Sequence, residues 1–152
     1  MKDIGADAVA VRTWFKEKKN TTYTSVTVDI PDAGAWIATV QDWMRRCYLT
    51  DQVLDARSQE AGVPKSMVIN SKLPDPSAVM SGDFGEILTY FYQTLDLSKA
   101  STTVEVIGPK KWRLKEARTK AAPYSDVVQF VVPSWPQSSA EDQLFCAEVK
   151  TK

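Results

Sequence analysis

Two residues that suit phosphodiester chemistry lie near the end of this 152-residue chain: Glu148 and Lys150, with one residue between them. They follow an apolar segment, 144–147, that is typical of a buried strand. Because side chains alternate between the two faces of a strand, Glu148 and Lys150 project from the same face. A carboxylate can hold a metal ion, and an ammonium group can stabilise the charge that develops on a phosphate.

The strand before this pair supplies a second acidic residue, Asp126. It lies in the apolar segment 125–132, and the ten-residue loop 133–142 would let the two strands pair in antiparallel orientation. If they pair as neighbours, Asp126 and Glu148 meet at one end of the sheet. Since this site offers oxygen ligands, we predict that the two carboxylates bind Mg²⁺ or Mn²⁺.

Each of these assignments has a structural alternative. Asp126 follows Pro123 closely and suits a turn, while many strands end in glutamate and lysine where they reach solvent. The tripeptide Glu17-Lys18-Lys19 has the same Glu-x-Lys spacing within a run of charges. Spacing alone therefore does not identify a site, and both interpretations stay open.

Glu86 is a third candidate, on a helix that we predict to begin near residue 79 or 83 and to end at 97. The apolar side chains of this helix recur at helical spacing and form one stripe: Phe84, Ile87, Leu88, Phe91 and Leu95. Glu86 lies opposite that stripe, where an exposed glutamate is equally expected. It joins the site only if its face of the helix looks towards Asp126.

A basic segment, 110–120, lies between Glu86 and Asp126 in the sequence. Its cationic residues are candidate contacts for a nucleic-acid backbone: Lys110, Lys111, Arg113, Lys115, Arg118 and Lys120. The alternative is a solvated strand edge whose lysines prevent aggregation. Proximity in sequence to Asp126 favours the functional interpretation.

Composition excludes several kinds of catalyst. The chain contains no histidine, which removes Ser-His and Cys-His nucleophiles and most catalytic zinc sites. Cys47 and Cys146 are far apart and suit buried apolar positions better than a disulfide. Nineteen basic residues balance nineteen acidic ones, so only a local patch would attract nucleic acid. With no signal-peptide core and no run of transmembrane length, we expect a cytoplasmic protein without a membrane partner.

We expect one nuclease-like domain over 1–152, divided into a β-rich part at 1–34, a helix and connection at 35–78, and a catalytic core at 79–152. Val9 and Val11 alternate as in a strand, and 23–30 is rich in threonine and valine. Helical spacing predicts one long helix over 35–61, which Gly62 and Pro64 would stop. We predict connection over 63–78 and a short strand over 102–107.

Several short motifs in the second half of the chain occur together. They are Gly85-Glu86-Ile87-Leu88, Pro109-Lys110-Lys111, the basic segment from Arg113 to Lys120, Ser125-Asp126, and the closing run from Glu148 to Lys152. In this order they resemble the HamA-type nuclease domain, the effector of the prokaryotic Hachiman antiphage defence system. The resemblance covers mainly residues 82–152, whereas residues 1–80 are compatible only in spacing.

This resemblance implies an α/β (α+β) fold of the PD-(D/E)xK type, a restriction-endonuclease-like core with a mixed sheet flanked by helices. It also implies Mg²⁺- or Mn²⁺-dependent cleavage of DNA under the control of a helicase partner. By position, Glu86 would be the helix acid, Asp126 the metal-binding strand acid, and Glu148 with Lys150 the closing catalytic pair.

PD-(D/E)xK cores normally continue after the Glu-x-Lys strand into a helix and a further strand, whereas this chain stops two residues after Lys150. We therefore expect a compact variant, a truncated core, or a missing layer that another subunit provides. An uncovered apolar sheet face would favour a homo-oligomer or a partner-bound form.

Two further functions compete with DNA cleavage. A catalytically inactive module of the same fold would bind nucleic acid through the basic segment without hydrolysis. A protein–protein adaptor would instead use its aromatic residues, such as Trp36, Trp43 and Trp135, and would bind neither metal nor nucleic acid.

Overall fold

A computed structural model describes residues 1–99 and 104–150 of the chain. Short 3₁₀ helices lie at Lys2–Ile4 and Lys111–Leu114. The α-helices are α1 (Ala8–Arg12), α2 (Ala33–Tyr48), α3 (Asp51–Ala61), α4 (Lys65–Lys72) and α5 (Ala78–Leu97). The strands are β1 (Phe15–Lys19), β2 (Thr24–Val28), β3 (Glu105–Ile107), β4 (Val127–Val132) and β5 (Gln143–Ala147).

The described strands form two antiparallel sheets. β1 and β2 make a hairpin, and the second sheet has the order β3-β4-β5 with β4 in the centre. In the second sheet Phe130 of β4 lies opposite Ile107 of β3 and Leu144 of β5. The expected α+β class and the antiparallel pairing of the last two strands are confirmed. Of the predicted strand at 102–107, Glu105–Ile107 is found, and residues 102 and 103 lie outside the described residues.

The N-terminal segment differs from the predicted strand. Residues 8–12 form α1, because the Asp7 carboxylate caps the helix by accepting hydrogen bonds from the backbone N–H groups of Val9 and Ala10. The cap gives the backbone N–H groups of Val9 and Ala10 a hydrogen-bond partner. In a strand, these groups would have needed a neighbouring strand as their partner. The valine alternation was therefore the wrong signal, since a capping aspartate preceded it.

The predicted long helix is two helices, α2 and α3, with a break at Leu49. Thr50 caps α3 by accepting a hydrogen bond from the N–H of Val53, and the first residue of α3, Asp51, forms ion pairs with Arg45 and Arg46. The stop at Gly62 is confirmed, with this glycine in the left-handed conformation (φ 63°). The segment expected to be connection contains α4 after Pro64, a residue well suited to a helix start.

Helix α5 lies at the centre of the core. Ile87, Tyr90 and Phe91 on this helix are at most 1% exposed. Phe91 packs against Trp14 at a ring-centroid distance of 6.4 Å, and Trp14 stacks on Trp43 of α2 at 5.9 Å. These aromatic contacts connect α5 with the N-terminal half of the chain.

On its other side, α5 packs against strand β4. The fully buried amide of Gln129 in β4 donates hydrogen bonds to the backbone carbonyl of Tyr90 and to the hydroxyl of Thr94. Gly108, at the end of β3, lies so close to the Tyr90 ring that any Cβ atom at this position would overlap it. The sheet and α5 are therefore held at a short, specific distance.

A buried ion pair joins α5 to the segment after the second 3₁₀ helix. The Lys115 ammonium lies 2.5 Å from the Asp83 carboxylate, and their side chains are 1% and 3% exposed. The Tyr48 hydroxyl donates a second hydrogen bond to Asp83 at 2.8 Å. Burial, reinforced by the charge of Asp83, raises the pKa of Tyr48, so this phenol remains a hydrogen-bond donor.

We expect the substitution Lys115→Met to reduce the free energy of unfolding by about 3–5 kcal/mol, because it leaves the Asp83 charge buried without its partner. Urea unfolding followed by tryptophan fluorescence measures this loss. The double variant Asp83→Asn, Lys115→Met should recover much of it, since a neutral amide still accepts the hydrogen bond from Tyr48. A double variant no more stable than Lys115→Met would show that the charge is not the cause.

Candidate functional site

The sheet brings Asp126 and Glu148 to the same end. Val127 of β4 pairs with Ala147 of β5 at the end of the ladder, and Asp126 and Glu148 are the next residues beyond this last pair. Opposite residues of an antiparallel pair point to the same face of the sheet. Val127 and Ala147 face the core, whereas Asp126 is half-buried and Glu148 is exposed.

A main-chain hydrogen bond holds Asp126 in position. Its Oδ2 atom accepts from the backbone N–H of Val149 at 2.7 Å. Asp126 is half-buried, and Val149 packs against the core between the exposed residues Glu148 and Lys150. Strand β5 ends at Ala147, before the predicted pair, but exposure still alternates over residues 148–150 and leaves both charged side chains at the surface.

Glu148 and Lys150 form an exposed ion pair. The Lys150 ammonium lies 2.5 Å from Oε1 of Glu148, and the two side chains are 81% and 74% exposed. The hydrogen bond to Glu148 raises the pKa of Lys150, and the negative charges of Glu148 and Asp126 add to the rise. Lys150, which as a lysine is already a charged ammonium at neutral pH, therefore holds its proton more firmly.

A cleft of about 250 Å³ begins beside Asp126. Its floor contains Trp112 and its rim contains the exposed side chains of Leu114, Tyr124 and Phe130. Lys111 lines the same cleft. The acid pair at the end of the sheet therefore lies next to a mainly apolar recess.

Glu86 is not on an exposed face of α5, contrary to the helical-wheel expectation. Its carboxylate lies 3.1 Å from the Lys111 ammonium and accepts a hydrogen bond from the Trp112 indole N–H at 2.9 Å. The side chain is 13% exposed because the 3₁₀ helix covers this side of α5. Burial raises the pKa of Glu86, although both hydrogen bonds and the Lys111 charge oppose the rise. Glu86 itself does not line the cleft, but its two partners, Lys111 and Trp112, do.

Three of the predicted nucleic-acid contacts point into the protein in this structure. Lys110 lies over the Tyr90 ring, donates to its hydroxyl at 2.6 Å and pairs with Asp3. Lys111 and Lys115 pair with the two acids of α5, Glu86 and Asp83. All three lysine side chains are at most 8% exposed, so their charges are compensated locally.

The other three basic residues are more accessible. Arg113 donates to the backbone carbonyl of Arg46 and pairs with Asp3, and its side chain is 29% exposed. Arg118 donates to the carbonyl of Leu73 at 2.8 Å and pairs with Asp75, with 37% exposure. Lys120 is exposed. The contacts of all six residues with nucleic acid remain a prediction.

The donor set at the end of the sheet suits a hydrated hard cation. Among the described residues, no group of three or more acidic, cysteine or histidine side chains is arranged to hold a metal ion. Mg²⁺ usually keeps several waters and uses only one or two carboxylates together with substrate oxygens. Asp126 and Glu148 match that number of carboxylates, and they are too few for a closed all-protein cage.

Sequence reasoning missed Asp83 and Tyr124. Asp83 lies four residues before Ile87 and therefore on the buried side of α5, so an acid within the apolar stripe was the available signal. Tyr124 adopts a positive φ of 71°, among residues that line the cleft. A tyrosine after Pro123 carries no sequence signal for that conformation.

Comparison with known proteins gives one match. No curated protein and no solved structure matches the chain with significant similarity. The family model described as HamA matches residues 8–152. That span extends the resemblance, which rested on the second half of the sequence, to nearly the whole chain. The chain therefore belongs to the HamA family.

Proposed function

We propose that this protein is a metal-dependent nuclease that cleaves DNA phosphodiester bonds. Membership of the HamA family suggests a component of the Hachiman antiphage defence system. The observation that carries the proposal is the convergence of Asp126, Glu148 and Lys150 at one end of the β4–β5 pair. Two carboxylates and an ammonium group on one exposed face are the groups that a PD-(D/E)xK site needs.

In this proposal Asp126 and Glu148 hold Mg²⁺ or Mn²⁺. The bound ion would lower the pKa of a water molecule and neutralise charge on the phosphate. One carboxylate oxygen of Asp126 accepts the hydrogen bond from the Val149 N–H, and this bond orients the other oxygen. Glu148 likewise has one oxygen on Lys150 and a second oxygen available.

Lys150 acts as a cation in this proposal. A lysine is protonated at neutral pH, and the hydrogen bond to Glu148 raises the pKa of Lys150 further. A protonated lysine donates hydrogen bonds to phosphate oxygens and stabilises the charge of the transition state. It is not a general base in this arrangement.

We propose a positioning role for Glu86 in the catalytic set. Its carboxylate fixes Lys111 and Trp112, and both residues line the cleft beside Asp126. Backbone contacts with DNA would then involve Lys120 and the accessible side of Arg118 more than the buried lysines.

The assembly around the nuclease also belongs to the proposal. A helicase subunit would control cleavage, and the protein would act in the cytoplasm. No helix within the described ranges combines the length and the apolar character that crossing a membrane requires. A homo-oligomer also belongs to the proposal, because β5 is an edge strand of the described β3-β4-β5 sheet and an edge strand can pair with a second subunit.

We expect Glu148→Gln and Lys150→Met to reduce the rate of Mg²⁺-dependent cleavage of DNA at least about 100-fold, because each removes a charge from the reacting site. Gel analysis of a labelled DNA substrate measures the rate. Glu17→Gln and Lys19→Met are matched controls, since these residues have the same Glu-x-Lys spacing on the exposed strand β1. The control variants should cleave like the wild type.

Two results would contradict the assignment. Undiminished cleavage by Glu148→Gln or Lys150→Met would show that the catalytic site does not include these residues. DNA binding without cleavage by any variant, including the wild type, would favour the inactive nucleic-acid-binding module.

We expect Asp126→Asn to raise the Mg²⁺ concentration required for half-maximal cleavage by at least about tenfold. The reason is that replacing even a residue that only orients a metal ligand typically lowers metal affinity by about that factor. The amide oxygen still accepts the hydrogen bond from Val149, so the melting temperature should stay close to that of the wild type. Chelation with EDTA should stop cleavage and added Mn²⁺ should restore it. An unchanged Mg²⁺ requirement would exclude Asp126 as a ligand.

Glu86 predicts a pH dependence of stability. Because its pKa is raised in the folded protein, the folded state binds more protons than the unfolded state between pH 4.5 and the raised value. The contribution of Glu86 to stability is therefore greatest at low pH and falls as the pH rises through that window. Relative to Glu86→Gln, the wild type should gain unfolding free energy as the pH is lowered from 7 towards 4.5. Urea unfolding across this range tests the sign, and a parallel course of the two proteins would refute it.

A further inference from the structure

Tyr124 combines an unusual backbone with an exposed ring. Its φ is 71°, in a region that L side chains other than asparagine and aspartate rarely adopt. Tyr124 is 81% exposed, so burial of the ring does not offset the energetic cost of this backbone conformation. Residues with rarely populated backbone conformations cluster at ligand sites, where the conformation positions a side chain for contact with the ligand.

Tyr124 is one of the residues that line the cleft beside Asp126. Leu114 and Phe130, which are 59% and 43% exposed, line the same cleft, and Trp112 lies at its floor. These side chains offer flat or aliphatic surfaces and almost no hydrogen-bonding groups. The cleft therefore suits a planar ring that binds by stacking and apolar contact.

The size of the cleft limits what it can take. Its volume of about 250 Å³ is below the roughly 300–1,000 Å³ of pockets that enclose drug-sized ligands. One ring system fits, with the rest of a larger molecule outside. Asp126 at the edge would repel an anionic ring but is compatible with a phosphate bridged by a cation.

We infer that this cleft binds a single unstacked nucleobase, with Tyr124 as its stacking surface, and that the protein therefore prefers single-stranded DNA to intact duplex. The inference rests on the proposed function for its choice of a nucleic acid as the ligand. In a duplex both faces of each base are covered by neighbours, and presenting one face to a side chain requires unstacking. A single strand offers its bases directly, and aromatic side chains bind them with little sequence preference.

The test measures binding without cleavage. Fluorescence anisotropy in EDTA would compare a labelled single-stranded oligonucleotide, on the order of ten nucleotides long, with the corresponding duplex. We expect tighter binding of the single strand. Tyr124→Ala should weaken single-strand binding at least about fivefold, as removal of one base-stacking aromatic does elsewhere, while Tyr124→Phe should bind like the wild type.

Tyr124→Gly separates binding from folding. Glycine adopts a positive φ without steric cost, so this variant should melt at the same temperature as the wild type or higher. It should nevertheless lose single-strand affinity as Tyr124→Ala does. Tyr23→Ala is the matched control, because Tyr23 is 63% exposed in the loop between β1 and β2 and does not line the cleft. Its binding should be unchanged.

The outcomes distinguish this inference from the proposed function. Wild-type affinity in Tyr124→Ala or Tyr124→Gly, equal binding of single strand and duplex, or no binding of single strand would each overturn the stacking site. Cleavage that depends on Glu148 and Lys150 would leave the nuclease proposal intact in those cases. Tyr124-dependent binding without metal-dependent cleavage would support the stacking site and reject the nuclease.

Discussion

Helix α5 carries two acidic residues into the interior, and each must be compensated there. Moving an isolated charge out of water costs several kcal/mol, and a well-placed partner offsets that cost. The compensating cations are Lys115 for Asp83 and Lys111 for Glu86, both from the segment that follows β3. Because α5 also packs against β4 through Gln129, the same helix sets the position of the sheet that carries the proposed site.

This compensation divides the charged residues into two groups. The lysines nearest to α5 serve the fold, and a DNA backbone would have to compete with buried carboxylates for them. At the end of the β4–β5 pair, the ion pair of Glu148 and Lys150 is exposed, and Asp126 is held beside it by a main-chain hydrogen bond. Charges that are accessible and weakly compensated are the ones available to a cation and a phosphate.

How much the sequence predicted depended on the range of the interaction involved. The helix over α5, the stop at Gly62 and the antiparallel pairing of β4 with β5 follow from local periodicity, a glycine cap and a loop length, and all were predicted. The break at Leu49 was not predicted, because the apolar spacing runs on while Thr50 caps a new helix. On a helical wheel Glu86 lies opposite the apolar stripe, and this position is compatible with exposure. The wheel contains no information about the distant 3₁₀ helix that covers this side of α5.

By itself, the sequence determined the alternation that sends Glu148 and Lys150 to one face, the absence of histidine chemistry, and the motif order that resembles the HamA family. These properties depend on residue type and on spacing within a few positions. Only the tertiary structure decided which lysines are buried, where Glu86 points, and how Tyr124 comes to line a cleft beside Asp126. Those outcomes depend on contacts between segments far apart in the chain, whose geometry is set by packing and by the need to compensate buried charge.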